Sequence, residues 1–299
     1  MARLILLLFF CGIALFRVLT KQILLIATLL LITQCATAND TTLTFRLQKN
    51  VAGNYKNMEL DNLGNTYLVT ATNQILKLNN NFDSIASFNN SKSLGNITSI
   101  DVSNPLKILI FYKSFSTIVI LDRYLSAINT INLQKQNLFG VSAVTSSYDN
   151  NIWLFDEVEN KIKKIDNDGK LLNETVDFRI LFDFDKSFTT DYLKDIEGKL
   201  YIYNKQNGLF CFDYYGALQH RFSIVALSNT QIETGNFIGF GKDGIQFYNI
   251  KNRKAINYNP NLNFTTISKF KFNKNLFYTL SKEGLNVYQL GERKLKIKG

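Results

Sequence analysis

Five times along this chain an apolar strand runs into an Asp or Asn, turns, and resumes as a second strand. The copies read NQILKLNNNFDSI, STIVILDRYLSAI, ENKIKKIDNDGKLL, NGLFCFDYYGALQ and RKAINYNPNLNFT. Their anchors Asn79, Asp122, Asp166, Asp213 and Asn259 are 43, 44, 47 and 46 residues apart. A single unit of this kind cannot bury its apolar faces alone, so neighbouring units must stack. A period of this length with several short strands per unit marks a β-propeller. A sixth, shorter unit follows, with strands at 275–281 (NLFYTLS) and 284–290 (GLNVYQL) and Gln289 in the anchor position. Residues 41–48 (TTLTFRLQ) have strand character and are predicted to pair with this last unit. The expected fold is all-β: a six-bladed β-propeller of four-stranded antiparallel blades, its ring closed by an N-terminal strand.

The third unit resolves into strands at 141–146, 151–155, 161–166 and 170–176, separated by turn residues. Alternation in KIKKID, and in FDFD at 182–185, predicts further strands, the latter with Asp183 and Asp185 on a solvated face. The recurring Asp or Asn has a local task. Its short side chain accepts a hydrogen bond from a backbone N–H two residues on and nucleates a turn. Gly169 and Gly216 then supply the positive φ that a tight hairpin needs. Phe and Tyr, 24 and 14 of them, are expected to fill the spaces between blades.

The first 38 residues differ in character. Two apolar runs, interrupted by Arg17 and Lys21, lead to Ala36-Thr37-Ala38. That order predicts a secretory signal cut before Asn39, with an uncleaved membrane anchor as the rival reading. Residues 39–299 are then a single propeller domain, exported to the periplasm, outer envelope or exterior. Cys211 is the one cysteine of that mature chain, so no internal disulfide can form, and its strand LFCFD makes it a core residue. The net charge of +10 falls to about +7 without the leader. This mild basic bias reads first as a solubilising charge with a basic tail; it also suits an acidic surface, envelope lipid or polyanion, and the scatter of the bases excludes a nucleic-acid footprint.

The segment SSYDNNIWLFDEVENKIKKIDNDGKL resembles an NHL repeat: an aromatic strand, a polar loop, and a strand ending D-x-D-G. ELDNLGNTYLVTATNQILKLN at 59–79 has the same layout. On these residues the chain is similar to the six-bladed NHL and gluconolactonase-like (TolB-like) propellers. The resemblance implies architecture. For the lactonase-like members it also implies a channel calcium held by Glu, Asn and Asp, positions that carry over to no residue here.

Catalytic chemistry is sparse. His220, the one histidine, falls on an outer strand away from the channel, so a Ser-His-Asp device is not expected. One Cys and one His in the mature chain cannot make a zinc site, and 166–169 reads as a hairpin turn rather than a calcium loop. No catalytic residue, metal site or cofactor is assigned. The acidic stretch Asp177, Asp183, Asp185, Asp191, Asp195 and Glu197 reads as a surface charge run. Loops joining second to third strands should crown one end of the ring, where binding residues tend to sit. Of these, Lys113, Glu157, Lys205 and Arg253 are the candidate partner-binding residues. The expected function is a monomeric, non-enzymatic scaffold for a protein or cell-envelope component, touching membrane only through an uncleaved N-terminus. A calcium-dependent lactonase-like hydrolase is the alternative, and carbohydrate or polyanion binding a third.

Overall fold

Each apolar strand core of the repeat becomes the middle of a four-stranded antiparallel meander, and six such meanders surround one channel. The computed structural model describes residues 41–183, 188–260, 262, 264–291 and 294–295. The expected export segment, residues 1–38, and Asp185 lie outside the described residues. Blade 1 comprises Tyr55–Leu60, Thr66–Thr70, Gln74–Leu78 and Ser84–Asn89. Blade 2 comprises Ser99–Asn104, Lys107–Tyr112, Thr117–Leu121 and Ala127–Asn132. Blade 3 comprises Val141–Ser146, Ile152–Asp156, Lys161–Ile165 and Leu171–Glu174, within two residues of the sequence expectation. Blade 4 comprises Tyr192–Ile196, Lys199–Asn204, Gly208–Phe212 and Leu218–Phe222, and blade 5 Ser228–Glu233, Asn236–Gly241, Gly244–Asn249 and Lys254–Pro260. Blade 6 takes Lys269–Asn273, Leu276–Ser281 and Gly284–Leu290 from the C-terminal part and its fourth strand, Phe45–Ala52, from the N-terminal part.

Ring closure therefore follows the expectation, with one difference. The N-terminal segment divides its pairing. Phe45–Ala52 runs antiparallel to Gly284–Leu290, while Thr41–Leu43 pairs in parallel with the outer strand of blade 5. One stretch of chain thus ties two blades, with Leu43 and Phe45 both packed in the apolar cluster between blades 5 and 6.

Six apolar clusters occupy the six seams between neighbouring blades. The middle strands supply both of their neighbours. In Lys107–Tyr112 the side chains of Ile108, Ile110 and Tyr112 pack toward blade 1, and those of Leu109 and Phe111 toward blade 3. Period-2 geometry with both faces covered explains why these strands read as unbroken apolar runs. Aromatics are concentrated in seams 3–4 and 5–6. Phe178 and Phe212 stack there at 5.5 Å and 11°, and Phe247 meets Phe272 edge-on at 5.1 Å.

The anchors act as the sequence indicates. Oδ1 of Asn79, Asp122, Asp166 and Asp213 each accepts two backbone N–H bonds at 2.8–2.9 Å, from the residues two and four positions on. The residue three positions on takes positive φ in all four: Phe82, Leu125, Gly169 and Gly216. Three of these turns, those of Asp122, Asp166 and Asp213, also receive a bond from the preceding blade. Buried Lys77 of blade 1 donates to the Arg123 carbonyl of blade 2 at 2.8 Å, and Lys164 of blade 3 to the Tyr214 carbonyl of blade 4 at 3.1 Å. Lys107 of blade 2 does the same to the Asn167 side chain of blade 3. In every case the acceptor is the residue just after the anchor.

Two expectations are corrected. Asn259 is not a fifth anchor, because Lys254–Pro260 is the outer strand of blade 5. The third strand is Gly244–Asn249. The apparent brevity of the sixth unit followed from that misplacement. The FDFD strand does not begin at Phe182, which instead ends a short helix, Phe178–Phe182. Asp177 caps its N-terminus by accepting from the Arg179 N–H at 2.8 Å, and Asp183 ends it in the left-handed region at φ 54°. Phe178 and Phe182, four apart, put both rings on one side and meet at 5.1 Å over the blade 3–4 seam.

Replacing Asp122, Asp166 or Asp213 by Ala should each cost about 1–2 kcal/mol in urea unfolding, since two backbone donors lose their acceptor. Removing residues up to 52 should leave the outer edge of Gly284–Leu290 unpaired and make 269–291 the first region cut by protease or exchanged. Unchanged protection of that region would refute the closure.

Candidate functional site

The inner strands surround a channel of about 960 Å³. Alternation explains what it is lined with. In KFKFN, Phe270 and Phe272 enter the blade 5–6 seam while Lys269 and Lys271 line the channel. Tyr192–Ile196 contributes Lys194 in the same way. Facing these lysines are Glu59 from blade 1 and Asp101 from blade 2.

The pairings cross between blades. Glu59 accepts from Lys271 at 2.9 Å and lies 3.7 Å from Lys269, both on blade 6. Asp101 accepts from Lys194 of blade 4 at 3.0 Å and from the Ser146 N–H of blade 3 at 2.9 Å. Its remaining partners are the Ser103 N–H at 2.7 Å and the hydroxyls of Ser103 and Thr145. Burial alone would raise both carboxyls. At Asp101 the Lys194 charge and these donors outweigh it and hold the group far below the usual carboxylate range. At Glu59 the three lysines outweigh it, Lys271 most. Burial likewise opposes the charge on Lys194, but Asp101 and Glu59 raise it on balance. At Lys269 burial prevails and the ammonium is pushed down, with Lys271 adding to the repulsion and Glu59 opposing it.

Other inner-strand groups are committed to structure. Asp195 accepts from Trp153 Nε1 and the Tyr148 N–H, each at 3.1 Å, and from the Gly198 N–H at 3.0 Å. Gln231 of blade 5 holds both the N–H and the carbonyl of Phe272 in blade 6. The Tyr192 hydroxyl accepts from the Ile232 N–H, and burial raises its pKa strongly.

The four predicted rim residues separate. Lys113 and Glu157 meet at 3.3 Å and link the loops of blades 2 and 3. Both are substantially exposed, so the pair is worth under about 1 kcal/mol. Lys205 stands at the channel mouth, 3.6 Å from Asp191. Arg253 does not belong with them. Its turn joins the third and fourth strands of blade 5, at the opposite end of the hairpins from the second-to-third loops, and its guanidinium lies 5.8 Å from the Phe222 ring. Asn259, mistaken for a third-strand end, had shifted the loop assignment with it.

The acidic stretch does not converge either. Asp177 caps a helix, Asp191 pairs with Lys205, and Asp195 is buried in the blade 3–4 contact rather than solvated. Among the described residues no group of three or more His, Cys, Asp or Glu is placed to hold a metal ion. His220 is exposed on the outer strand of blade 4, as expected, and Cys211 is buried, its thiol pushed up by burial. The channel lysines and their carboxylates went unnoticed in the sequence, although the alternation in KFKFN was a usable signal.

No family model and no curated protein matches the chain. Solved structures do. An exported protein of Bacteroides fragilis, itself described as putative, superposes with TM-score 0.58 at 11% identity, covering 87% of this chain and 98% of that one. The Swd1 β-propeller domain of Myceliophteria thermophila gives 0.56 at 8% identity, covering 82% and 99%. Virginiamycin B lyase from Staphylococcus aureus gives 0.53 at 13% identity, covering 83% and 99%. At these identities the likeness is one of fold.

The depressed Asp101 pKa has a definite sign. The unfolded carboxyl titrates at about 3.9, so the stability Asp101 confers is complete above about pH 5, begins to fall at about pH 4, and is lost only as pH drops through the much lower folded value. Asp101→Asn should cost about 3 kcal/mol near neutrality. Urea unfolding of both proteins at pH 6.5 and pH 3 should show that gap narrowing in acid, and a gap independent of pH would contradict the pairing.

Proposed function

We propose that this protein is an exported, monomeric propeller scaffold of the NHL-like type that docks a protein partner on the end of the ring formed by the second-to-third loops. One observation carries the reading. An arc of exposed apolar side chains runs over blades 2 to 4 at that end: Phe115, Phe139, Val158, Ile180 and Val225. The segments bearing them are held together. The Leu133 N–H bonds to the Ser116 carbonyl, Glu157 N–H to Gly140, and Ala226 N–H to Lys205. Ile180, 77% exposed, rides on the helix that Phe178 pins into the core. Exposed aromatic and branched side chains on a rigid frame have the make-up of an interface. The opposite turns also expose Leu63, Leu106, Tyr124, Tyr148 and Tyr215, so the choice of this end rests on the Lys113–Glu157 and Lys205–Asp191 pairs beside the arc. Function on loops over a rigid scaffold is the common arrangement.

The hydrolase alternative is less well supported. A calcium site needs uncommitted oxygen ligands, whereas Glu59 and Asp101 already answer to Lys194, Lys269 and Lys271. Export rests on the leader-like sequence of residues 1–38.

A photo-cross-linking side chain at Phe139 or Ile180 should capture a discrete protein in cells, and the same group at Tyr124, on a third-to-fourth turn, should not. Ile180→Glu should abolish capture without altering thermal unfolding. Capture equal at both ends of the ring, or only of a second copy of the chain, would overturn the reading.

A further inference from the structure

We propose that the turns of blades 3 and 4 at the end of the ring away from the docking loops bind arginine side chains of a partner protein, on the rings of Tyr148 and Tyr215 and the carboxylates beside them. The site is independent of the docking surface on the loops. Its rings are bare. Tyr148, in the first-to-second turn of blade 3, and Tyr215, in the third-to-fourth turn of blade 4, are each 74% exposed. Their backbones are held. The Tyr148 N–H bonds to Asp195 across the blade 3–4 contact, and its ring lies over Gly198 of blade 4, where a Cβ would touch it. The Tyr215 N–H bonds to Asp213, and its carbonyl accepts from Asn173 of blade 3. Tyr214 joins the two positions. Its hydroxyl donates to Asp149, next to Tyr148, at 2.6 Å, and its ring meets that of Tyr215 edge-on at 5.1 Å.

The chain already seats its own cations in this way at this end. The Lys164 ammonium lies 3.6 Å from the centre of the Tyr214 ring and 4.4 Å from that of Trp153, with Asp149 at 3.1 Å. The Arg123 guanidinium lies 4.6 Å from the Tyr124 ring and donates to its hydroxyl at 2.6 Å. Tyr124 is thereby occupied and is no part of the site. Tyr148 and Tyr215 offer the same kind of face with no cation over it among the described residues. Charge points the same way. Around these turns the acids are Asp149, Asp166, Asp168, Asp195, Glu197 and Asp213, and the bases Lys107, Lys164, Lys170 and Lys199. The Asp101–Lys194 pair beside them is neutral as a whole. Acids therefore lead by six to four, in a chain whose net charge is +10. Lys107 and Lys164 are also buried beneath the turns, whereas Asp168 and Glu197 are exposed. A peptide cation is repelled by the chain at large and attracted here, so the local sign selects the place. Arginine is favoured over lysine because its planar, weakly hydrated guanidinium can lie on a ring while its N–H groups reach a carboxylate.

The test is calorimetric titration of the full chain with acetylated tetra-arginine amide and, separately, with its uncharged isostere, acetylated tetracitrulline amide. Saturable one-to-one binding of the arginine peptide is expected, with the citrulline peptide about tenfold weaker or worse. Tyr148→Leu and Tyr215→Leu keep the charge and much of the apolar bulk, and each should weaken binding about two- to fivefold. Glu197→Gln should weaken it as well, while Glu157→Gln, on the docking loops, should leave it unchanged. Equal affinity for the citrulline peptide would mark a surface for neutral peptide, and indifference to both tyrosine variants would leave only diffuse charge attraction. Either result overturns the proposal. So does self-association of the chain that the tyrosine variants abolish, since the face would then join two copies. Ile180→Glu should have no effect on arginine-peptide binding, so failure here and failure of the partner reading are distinct.

Discussion

Face-to-face packing of neighbouring sheets is the contact on which everything else in this molecule rests. Every blade contributes the middle strands' alternate side chains to two seams at once, so no blade has a core of its own. Burial of apolar area is then a property of the ring, shared among units. This accounts for a fold with neither disulfide nor histidine cluster among the described residues. It also fixes where polar chemistry can occur. Both faces of the middle strands are taken, which leaves the inner strands' channel side and the loops.

Polar bonds add registration to that packing. The bond from Lys77, Lys107 or Lys164 to the turn of the next blade links the first four blades, always just after the anchor. A buried ammonium is costly unless it is satisfied, so each of these lysines penalises any sliding of one sheet against the next. At the corresponding place in blade 4 stands Cys211, and the seams that follow rely on aromatic contact instead: Tyr203 with Phe237, Phe247 with Phe272.

The architecture was readable from the sequence because its signal is local. An Asp that accepts from N–H groups two and four residues on needs only its own turn, and it recurs wherever the turn does. The reading failed where a local signal had a double. Asn259 ends a strand as convincingly as Asn249 does, but it ends the outer one. FDFD alternates over four residues, a window too short to distinguish from the i, i+4 pairing of Phe178 and Phe182. The channel was not readable for a different reason. Glu59 and Lys271 come from opposite ends of the chain and are neighbours only because the ring brings the first and last inner strands together. Their chemistry belongs to the assembly.

The fourth strand of blade 6 has a temporal meaning as well as a spatial one. Phe45–Ala52 is made long before its partner, Gly284–Leu290. Completion of the circle must wait until Gly284–Leu290 has been made. Until then the nascent polypeptide carries one orphan strand and one vacant edge, the arrangement that makes long-range β pairing slow.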